Sequence, residues 1–253
     1  MSQKTIWITG ASSGIGREFA RRYAKLGFRL ILTARRRERL ELLAAELHAK
    51  YGTLCRIETA DLGLDADCDA LCAALADEHI DLFINNAGFG KLGNVADLPY
   101  IDGARMVDLN CRALTVLSTL VLPYMQKGSF ILNVCSIAAF VPNTRLTVYS
   151  STKAYVFSFS TALRRELKPR GIRVLAVCPG PMATEFLPVA GIENGASKTF
   201  ERLPYCDPAR VARIALKKAQ KGRAVYTPRG FYKFYRVLAK LLPHNWLMPL
   251  SGA

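Results

Sequence analysis

Short β-rich apolar runs alternate with helical patterns along almost the whole chain, and that order leaves few folds open. Strand-like runs fall at 5–9, 30–34, 54–59, 82–85, 130–135 and 174–177, with a short one at 224–226. Helical patterns fill the gaps at 16–26, 38–50, 66–78, 104–126, 149–167 and 209–219. Successive β-then-α units lay strands side by side in a parallel sheet with helices on both faces. The expectation is an α/β chain built on a single doubly wound parallel sheet, with ligands beyond the carboxyl ends of its strands. Residues 1–228 are assigned to this unit. Within it, 181–208 is a long connection bearing Gly, Pro, Asn and Ser that reads as a substrate loop or lid, and 229–253 forms a tail.

The first strand ends at Thr9 and runs into Gly10, Ala11, Ser12, Ser13, Gly14, Ile15 and Gly16 before a helix begins. Glycines let the backbone turn tightly and approach a pyrophosphate, whose charge meets the free N–H groups of a helix start. The Gly-x3-Gly-x-Gly spacing differs from the G-x-G-x-x-G fingerprint, and alone it also fits an ordinary tight strand-to-helix turn.

The second strand narrows the choice. It ends at Ala34 and meets Arg35, Arg36 and Arg37, just where a helical pattern through Leu40, Leu43 and Leu47 takes over. Cations at a helix N-terminus oppose the helix dipole, so the cluster reads as awaiting an anion. At this distance from a glycine turn an acidic residue would hold a ribose 2′-hydroxyl, whereas arginine accommodates a 2′-phosphate. A guanidinium grips phosphate through two N–H groups and can stack its plane on adenine. Arg35, with Arg36 beside it, therefore points to NADP(H). At the end of the third strand, Asp61 and Leu62 either receive the adenine amino group or begin a helix cap. After the fourth strand, Asn85, Asn86, Ala87 and Gly88 bring small and amide-bearing residues to the same side, or form a plain Asn-Gly type turn.

Chemistry enters with Ser136, at the end of the fifth strand, followed by Tyr149 and Lys153 on the next helix. Residues four apart share a helical face. A lysine cation beside a phenol favours the phenolate and lowers the tyrosine pKa toward neutral, which suits proton transfer. The serine hydroxyl can orient and polarise a carbonyl oxygen while the tyrosine protonates it. Tyr-x-x-x-Lys by itself is a common surface pair; after a strand-end serine and a phosphate loop it is not.

At these residues the chain resembles the short-chain dehydrogenase/reductase family, over about residues 5–205. The turn from Thr9 to Gly16, the Asn85–Gly88 segment, Ser136, Tyr149, Lys153 and the pair Pro179-Gly180 occur in the family's order and spacing. The resemblance implies a Rossmann-type fold and hydride transfer between NADP(H) and a ketone or secondary alcohol. It also implies that Asn110 is a fourth catalytic member, holding a water that links Lys153 to solvent. Thr184 matches the position that hydrogen-bonds the nicotinamide amide, and Lys153 the one that binds the nicotinamide ribose. The family's pairing of long helices implies a homodimer or homotetramer. Phe89-Gly90 and the tail look like the branch with long-chain 3-oxoacyl and hydroxysteroid reductases, which implies a small lipophilic carbonyl or alcohol as substrate. An acyl group on an acidic carrier would suit the positive surface equally well.

Composition bounds the rest. The net charge of +15 fits nucleic acid, an anionic membrane or acidic small molecules. Residues 229–248 place Phe231, Phe234, Tyr235, Leu238, Leu241 and Leu242 on one helical face and Arg229, Lys233, Arg236 and Lys240 opposite. Such a basic amphipathic helix either lies in a membrane interface or packs on its own domain or a partner subunit. A nucleic-acid partner is not expected. The 7 cysteines are scattered and several sit in strand-like runs, as reduced thiols do. Cys68 and Cys72 share a helical face, but with 3 histidines and no second cysteine pair no metal site is expected. No apolar stretch reaches the roughly 20 residues of a membrane span, and the N-terminus lacks a signal-peptide pattern, so a cytoplasmic protein is expected. The alternative to an enzyme is an NADPH-binding regulator on the same fold. It would keep the glycine turn and Arg35 but need not retain Ser136, Tyr149 and Lys153.

Overall fold

The computed structural model describes residues 3–192 and 197–251, so residues 193–196 of the expected 181–208 loop and the last two of the tail lie outside the described residues. Seven strands, β1 (Thr5–Thr9), β2 (Arg29–Ala34), β3 (Cys55–Thr59), β4 (Leu82–Asn85), β5 (Phe130–Val134), β6 (Arg173–Val177) and β7 (Val225–Tyr226), form one sheet. Their order is β3-β2-β1-β4-β5-β6-β7, and each neighbouring pair is parallel. The sequence Thr5–Thr9 shows why: every residue of β1 is buried, as a strand covered on both faces must be. Ile6 and Ile8 point into one core with Phe19, Tyr23 and Leu40, while Trp7 points into the other with Phe83, Leu117 and Leu163.

Helices α1 (Gly14–Ala24), α2 (Arg37–Tyr51) and α9 (Pro208–Gln220) cover the first face. The second is covered by α3 (Asp65–Ala74), α5 (Ala113–Leu120) and α6 (Thr147–Glu166). Since β2 lies on one side of β1 and β4 on the other, the chain reverses direction across the sheet at β1 and β4. A crevice opens above their carboxyl ends, which is where ligands bind in doubly wound sheets.

Two helical readings change in detail. The pattern at 104–126 is not one helix. It comprises α4 (Tyr100–Val107), a wide π-type turn at Asp108–Arg112, α5, and a 3-10 turn at Leu122–Tyr124 containing Pro123. The second change concerns the tail, which forms α10 (Gly230–Leu241) and α11 (His244–Ser251). Leu242 between them is extended because the following Pro243 disfavours a helical residue before it.

The face that anchors α10 also differs from the periodicity reading. Phe231 and Phe234 are 55% and 63% exposed, whereas Tyr232 is fully buried in the same core as β1 and α1. Its hydroxyl donates to the Pro204 carbonyl at 2.8 Å. Its ring lies so close to Gly180 that a Cβ there would stand 2.2 Å from Tyr232 Cε2. The remaining described helices are short: α7 (Phe186–Val189) and α8 (Lys198–Arg202), both in the connection after β6. No helix among the described residues is long and apolar enough to cross a membrane.

Candidate active site

The glycine turn sits at the reversal point of the sheet. Gly10 has φ +65°, and a Cβ on it would meet Asn86 Nδ2 at 2.8 Å and Ala87 Cα at 2.9 Å, so glycine alone fits. The turn is fastened to the end of β4. Asn86 Nδ2 donates to the Thr9 and Gly10 carbonyls at 2.8 and 3.1 Å, and Thr9 Oγ1 accepts from Asn86 N and Ala87 N. Asn85 is instead buried and donates to the Leu114 carbonyl, a structural role outside the crevice. At the start of α1, Ser13 makes no side-chain cap and the first turn carries no acid. Its early N–H groups and positive dipole end thus face the crevice together with Ser12, Ser13, Gly14 and Ile15. Glycines at positions 10, 14 and 16 beside a helix start leave the backbone N–H groups accessible to a pyrophosphate, so these residues fit the dinucleotide that the sequence implies.

Each arginine after β2 has a carboxylate. Arg35 stands 3.9 Å from Asp61, Arg36 2.9 Å from Glu185, and Arg37 2.9 Å from Glu41. Arg39 also pairs with Glu185. Arg36 Nη2 reaches Ser12 Oγ at 3.2 Å, which ties the arginine cluster to the glycine turn. Asp61 does not cap α3, whose first flanking residue is Leu64; its Oδ1 instead accepts from Gly63 N at 3.0 Å. Asp61 and Leu62 line the crevice beside Arg35 and Arg36. Glu185 was not legible as a site residue in the sequence, because nothing in its spacing links it to residues about 150 positions earlier.

Ser136, Tyr149 and Lys153 come together at the end of β5. Ser136 flanks a 3-10 turn (Ile137–Ala139), accepts from Ala138 N at 3.1 Å, and hydrogen-bonds the Tyr149 hydroxyl. Lys153 is buried, donates to the Val134 carbonyl at 2.9 Å and lies 5.8 Å from the Tyr149 ring centroid. Here the expectation of a lowered tyrosine pKa is reversed. Burial pushes the Tyr149 phenol above its usual range against the pull of the Ser136 hydrogen bond, and it pulls the Lys153 ammonium down.

Asn110 falls inside the π-type turn, almost fully buried. Its Oδ1 accepts from Phe89 N at 3.1 Å, and its Nδ2 donates to the Phe89 carbonyl at 2.8 Å and to Thr152 Oγ1 at 3.0 Å. It therefore holds the segment after Gly88, which lies between it and Lys153: a Cβ on Gly88 would be 2.7 Å from Asn110 Oδ1 and 3.6 Å from Lys153 Nζ.

Between these groups lies a cavity of about 580 Å³. Gly10, Arg35, Arg36, Asp61, Asn86, Ala87 and Gly88 line its crevice end, and Pro179, Gly180 and Thr184 line it from β6. Ser136, Tyr149 and Lys153 line the same cavity. Much of the remaining lining is apolar: Phe89, Leu146, Phe186, Leu187, Phe200 and Leu203, with Phe231, Phe234, Leu238 and Leu247 from α10 and α11. Phe186 packs on Tyr149 with ring centroids 5.4 Å apart.

A doubly wound sheet with a glycine turn at its reversal point and a Ser-Tyr-Lys set lining the same cavity defines the class: a nucleotide-dependent oxidoreductase scaffold. Residues 4–191 match the short chain dehydrogenase family, and the chain belongs to it. It is 42% identical over 189 residues to serine 3-dehydrogenase of Agrobacterium fabrum, covering 72% of this chain and 73% of that one. It is 35% identical over 185 residues to the very-long-chain 3-oxoacyl-CoA reductase of Anas platyrhynchos, covering 70% and 59%. The fold superposes on a short-chain dehydrogenase from Sphingobium yanoikuyae in complex with NADPH with a TM-score of 0.84, 32% identity and coverage of 94% and 93%.

Proposed function

We propose that this dehydrogenase interconverts a lipophilic ketone and its secondary alcohol with NADP(H). The observation that carries the reading is that one cavity is lined by Ser136 and Tyr149, by the glycine turn with Arg35 and Arg36, and by a broad set of apolar side chains. That lining favours an acyl or polycyclic substrate, as the name of the 3-oxoacyl-CoA reductase suggests, over the polar amino acid in the name of the Agrobacterium enzyme.

NADPH, when bound, supplies the hydride. The amides of Gly10–Gly16 would hold its pyrophosphate, Arg35 and Arg36 its 2′-phosphate, and Asp61 and Leu62 its adenine. Asn86, Ala87 and Gly88 border it, and Tyr149, Lys153, Pro179, Gly180 and Thr184 would hold its nicotinamide end. Ser136 donates to the substrate carbonyl oxygen and fixes it against the Tyr149 hydroxyl, which gives that oxygen its proton. Lys153 holds a positive charge beside the phenol as the proton leaves, and Asn110 positions the Phe89 backbone over the site. In alcohol oxidation the same groups take the proton back.

NADPH oxidation measured against ketosteroids, 3-oxoacyl thioesters and small aromatic ketones tests the reading, with NADH and Tyr149→Phe as controls. Turnover confined to apolar ketones and lost in Tyr149→Phe supports it. Tight NADPH binding with no turnover on any of them supports the regulator instead.

The surroundings of the site extend the proposal. After Asp207 the chain has ten Lys and Arg residues and no Asp or Glu, and Phe234, Leu241 and Trp246 are 63–74% exposed. Contact of 229–248 with an anionic membrane surface, by a protein otherwise in the cytoplasm, accounts for that pairing of charge and apolar area. Flotation with anionic vesicles, lost in Lys233→Glu/Lys240→Glu, checks it. Exposed Tyr100, Ile101 and Val107 on α4 and Tyr155 on α6 suit a homodimer or homotetramer, which light scattering reads directly.

A further inference from the structure

One carboxylate joins two parts of the site that the mechanism keeps separate. Glu185 follows Thr184 and immediately precedes α7, the short helix whose Phe186, Leu187 and Val189 wall the cavity. Its two oxygens reach across the crevice mouth, Oε2 to Arg36 Nη2 at 2.9 Å and Oε1 to Arg39 Nη1. The same Arg36 nitrogen is 3.2 Å from Ser12 Oγ in the glycine turn. The cavity wall is thus tied to the cofactor-recognising arginines by an anion that is part of the chain.

The tie is weak by construction. The side chains of Arg36, Arg39 and Glu185 are 43–45% exposed, and pairs at such exposure are screened and contribute little. A phosphate monoester carries nearly two charges and three acceptor oxygens, so it competes well for guanidinium donors that a single carboxylate holds in solvent. Against the upward push of its partial burial, hydrogen bonds from Arg39 and Arg36 hold Glu185 below the usual carboxylate range, so it is charged at neutral pH.

We propose that Glu185 is an internal occupant of the 2′-phosphate site, displaced from Arg36 when NADP(H) places its phosphate on Arg35 and Arg36, so that a phosphorylated cofactor, and not NAD(H), frees the α7 wall of the substrate cavity. Glu185 is then a specificity-determining residue for the cofactor and couples its binding to access at the substrate end. The inference rests on the reading of NADP(H) as cofactor and not on the identity of the substrate.

The test uses the full chain and needs no turnover. Wild type, Glu185→Gln and Glu185→Asp are titrated calorimetrically with NADPH, NADH, adenosine 2′,5′-bisphosphate and AMP. Removing the competing charge in Glu185→Gln is expected to tighten NADPH and the bisphosphate about two- to fivefold, the scale of one exposed charge pair. NADH and AMP should keep their affinities, and Glu185→Asp, which keeps the charge, should lie nearer to wild type. Amide hydrogen exchange gives the second readout. Protection at 186–190 in wild type should fall when the bisphosphate binds and be unchanged by AMP, while Glu185→Gln should start at the lower level. Unchanged or weakened NADPH affinity in Glu185→Gln, or protection at 186–190 that rises with the bisphosphate, overturns the exchange. A wild type that binds NADPH no better than NADH overturns it together with the cofactor reading, whereas a clear NADPH preference insensitive to Glu185→Gln overturns the exchange alone.

Discussion

The Lys153 ammonium lies 5.8 Å from the centre of the Tyr149 ring while donating to the Val134 carbonyl at 2.9 Å, and both side chains are buried. Burial disfavours the charged form of each, raising the phenol and lowering the ammonium. A phenol held neutral is ready to give a proton, as ketone reduction requires, whereas alcohol oxidation requires the phenolate. Reduction is expected to stay level from pH 6 to 8, and oxidation to climb with pH across the alkaline range. Rate profiles in both directions check this, and an oxidation rate level with pH would contradict it.

Asn110 makes three hydrogen bonds, two of them to the Phe89 backbone. In Asn110→Ala the Phe89 N–H and carbonyl lose these partners, at about 1–3 kcal/mol for each polar group left buried and unpaired. The expected result is a lower unfolding midpoint in urea and a fall in kcat, because Phe89 lines the cavity next to Tyr149. A variant as stable as wild type would show that water replaces the side chain at no cost.

How far the sequence could be read follows from the range of the interactions involved. Strand runs such as Thr5–Thr9 were legible because burial on both faces makes them apolar throughout, and Gly10, Ser136, Tyr149 and Lys153 were legible because strand ends and a single helix turn fix their positions. The π-type turn at Asp108–Arg112 was not, since one extra residue per turn leaves the apolar pattern nearly unchanged. Tyr232 was missed because the periodicity of 229–248 ranks faces by hydrophobicity, while the docked face is chosen by the space above Gly180. Glu185 and Arg36 meet across 149 residues, a distance at which local spacing carries no information.

The contact between Gly180 and Tyr232 makes a paired prediction. A Cβ at Gly180 would overlap the ring at 2.2 Å, and the ring cannot retreat because its hydroxyl is tied to the Pro204 carbonyl and its other side packs in the core. Gly180→Ala should cost about 1–3 kcal/mol by overpacking. Adding Tyr232→Leu should recover part of that loss, so the double variant is more stable than the two single effects predict. Thermal or urea unfolding of the four proteins gives the coupling, and strictly additive effects would remove the packing argument.

Stability toward acid should be set partly where α1 meets α2. Arg21 grips Glu46 through Nε at 3.1 Å and Nη2 at 2.8 Å, and Lys50 adds a contact at 3.0 Å. The Arg21 hydrogen bond, opposed by burial and helped by Lys50, lowers the Glu46 carboxyl from 4.5 to about 2. Between those two pH values the unfolded chain binds a proton that the folded chain does not, so the contribution of Glu46 is complete above pH 4.5 and lost as pH falls toward 2. Glu46→Gln should therefore be less stable than wild type at pH 7, and the gap should close steadily below pH 4.5. Glu78, lowered in the same sense by Arg29 and Arg56, remains in both proteins, so both weaken in acid and only the difference between them reports on Glu46. Urea unfolding at pH 7, 4.5 and 3 measures that difference, and a gap that stays constant across the three would mean that Glu46 acts through packing and not through its charge.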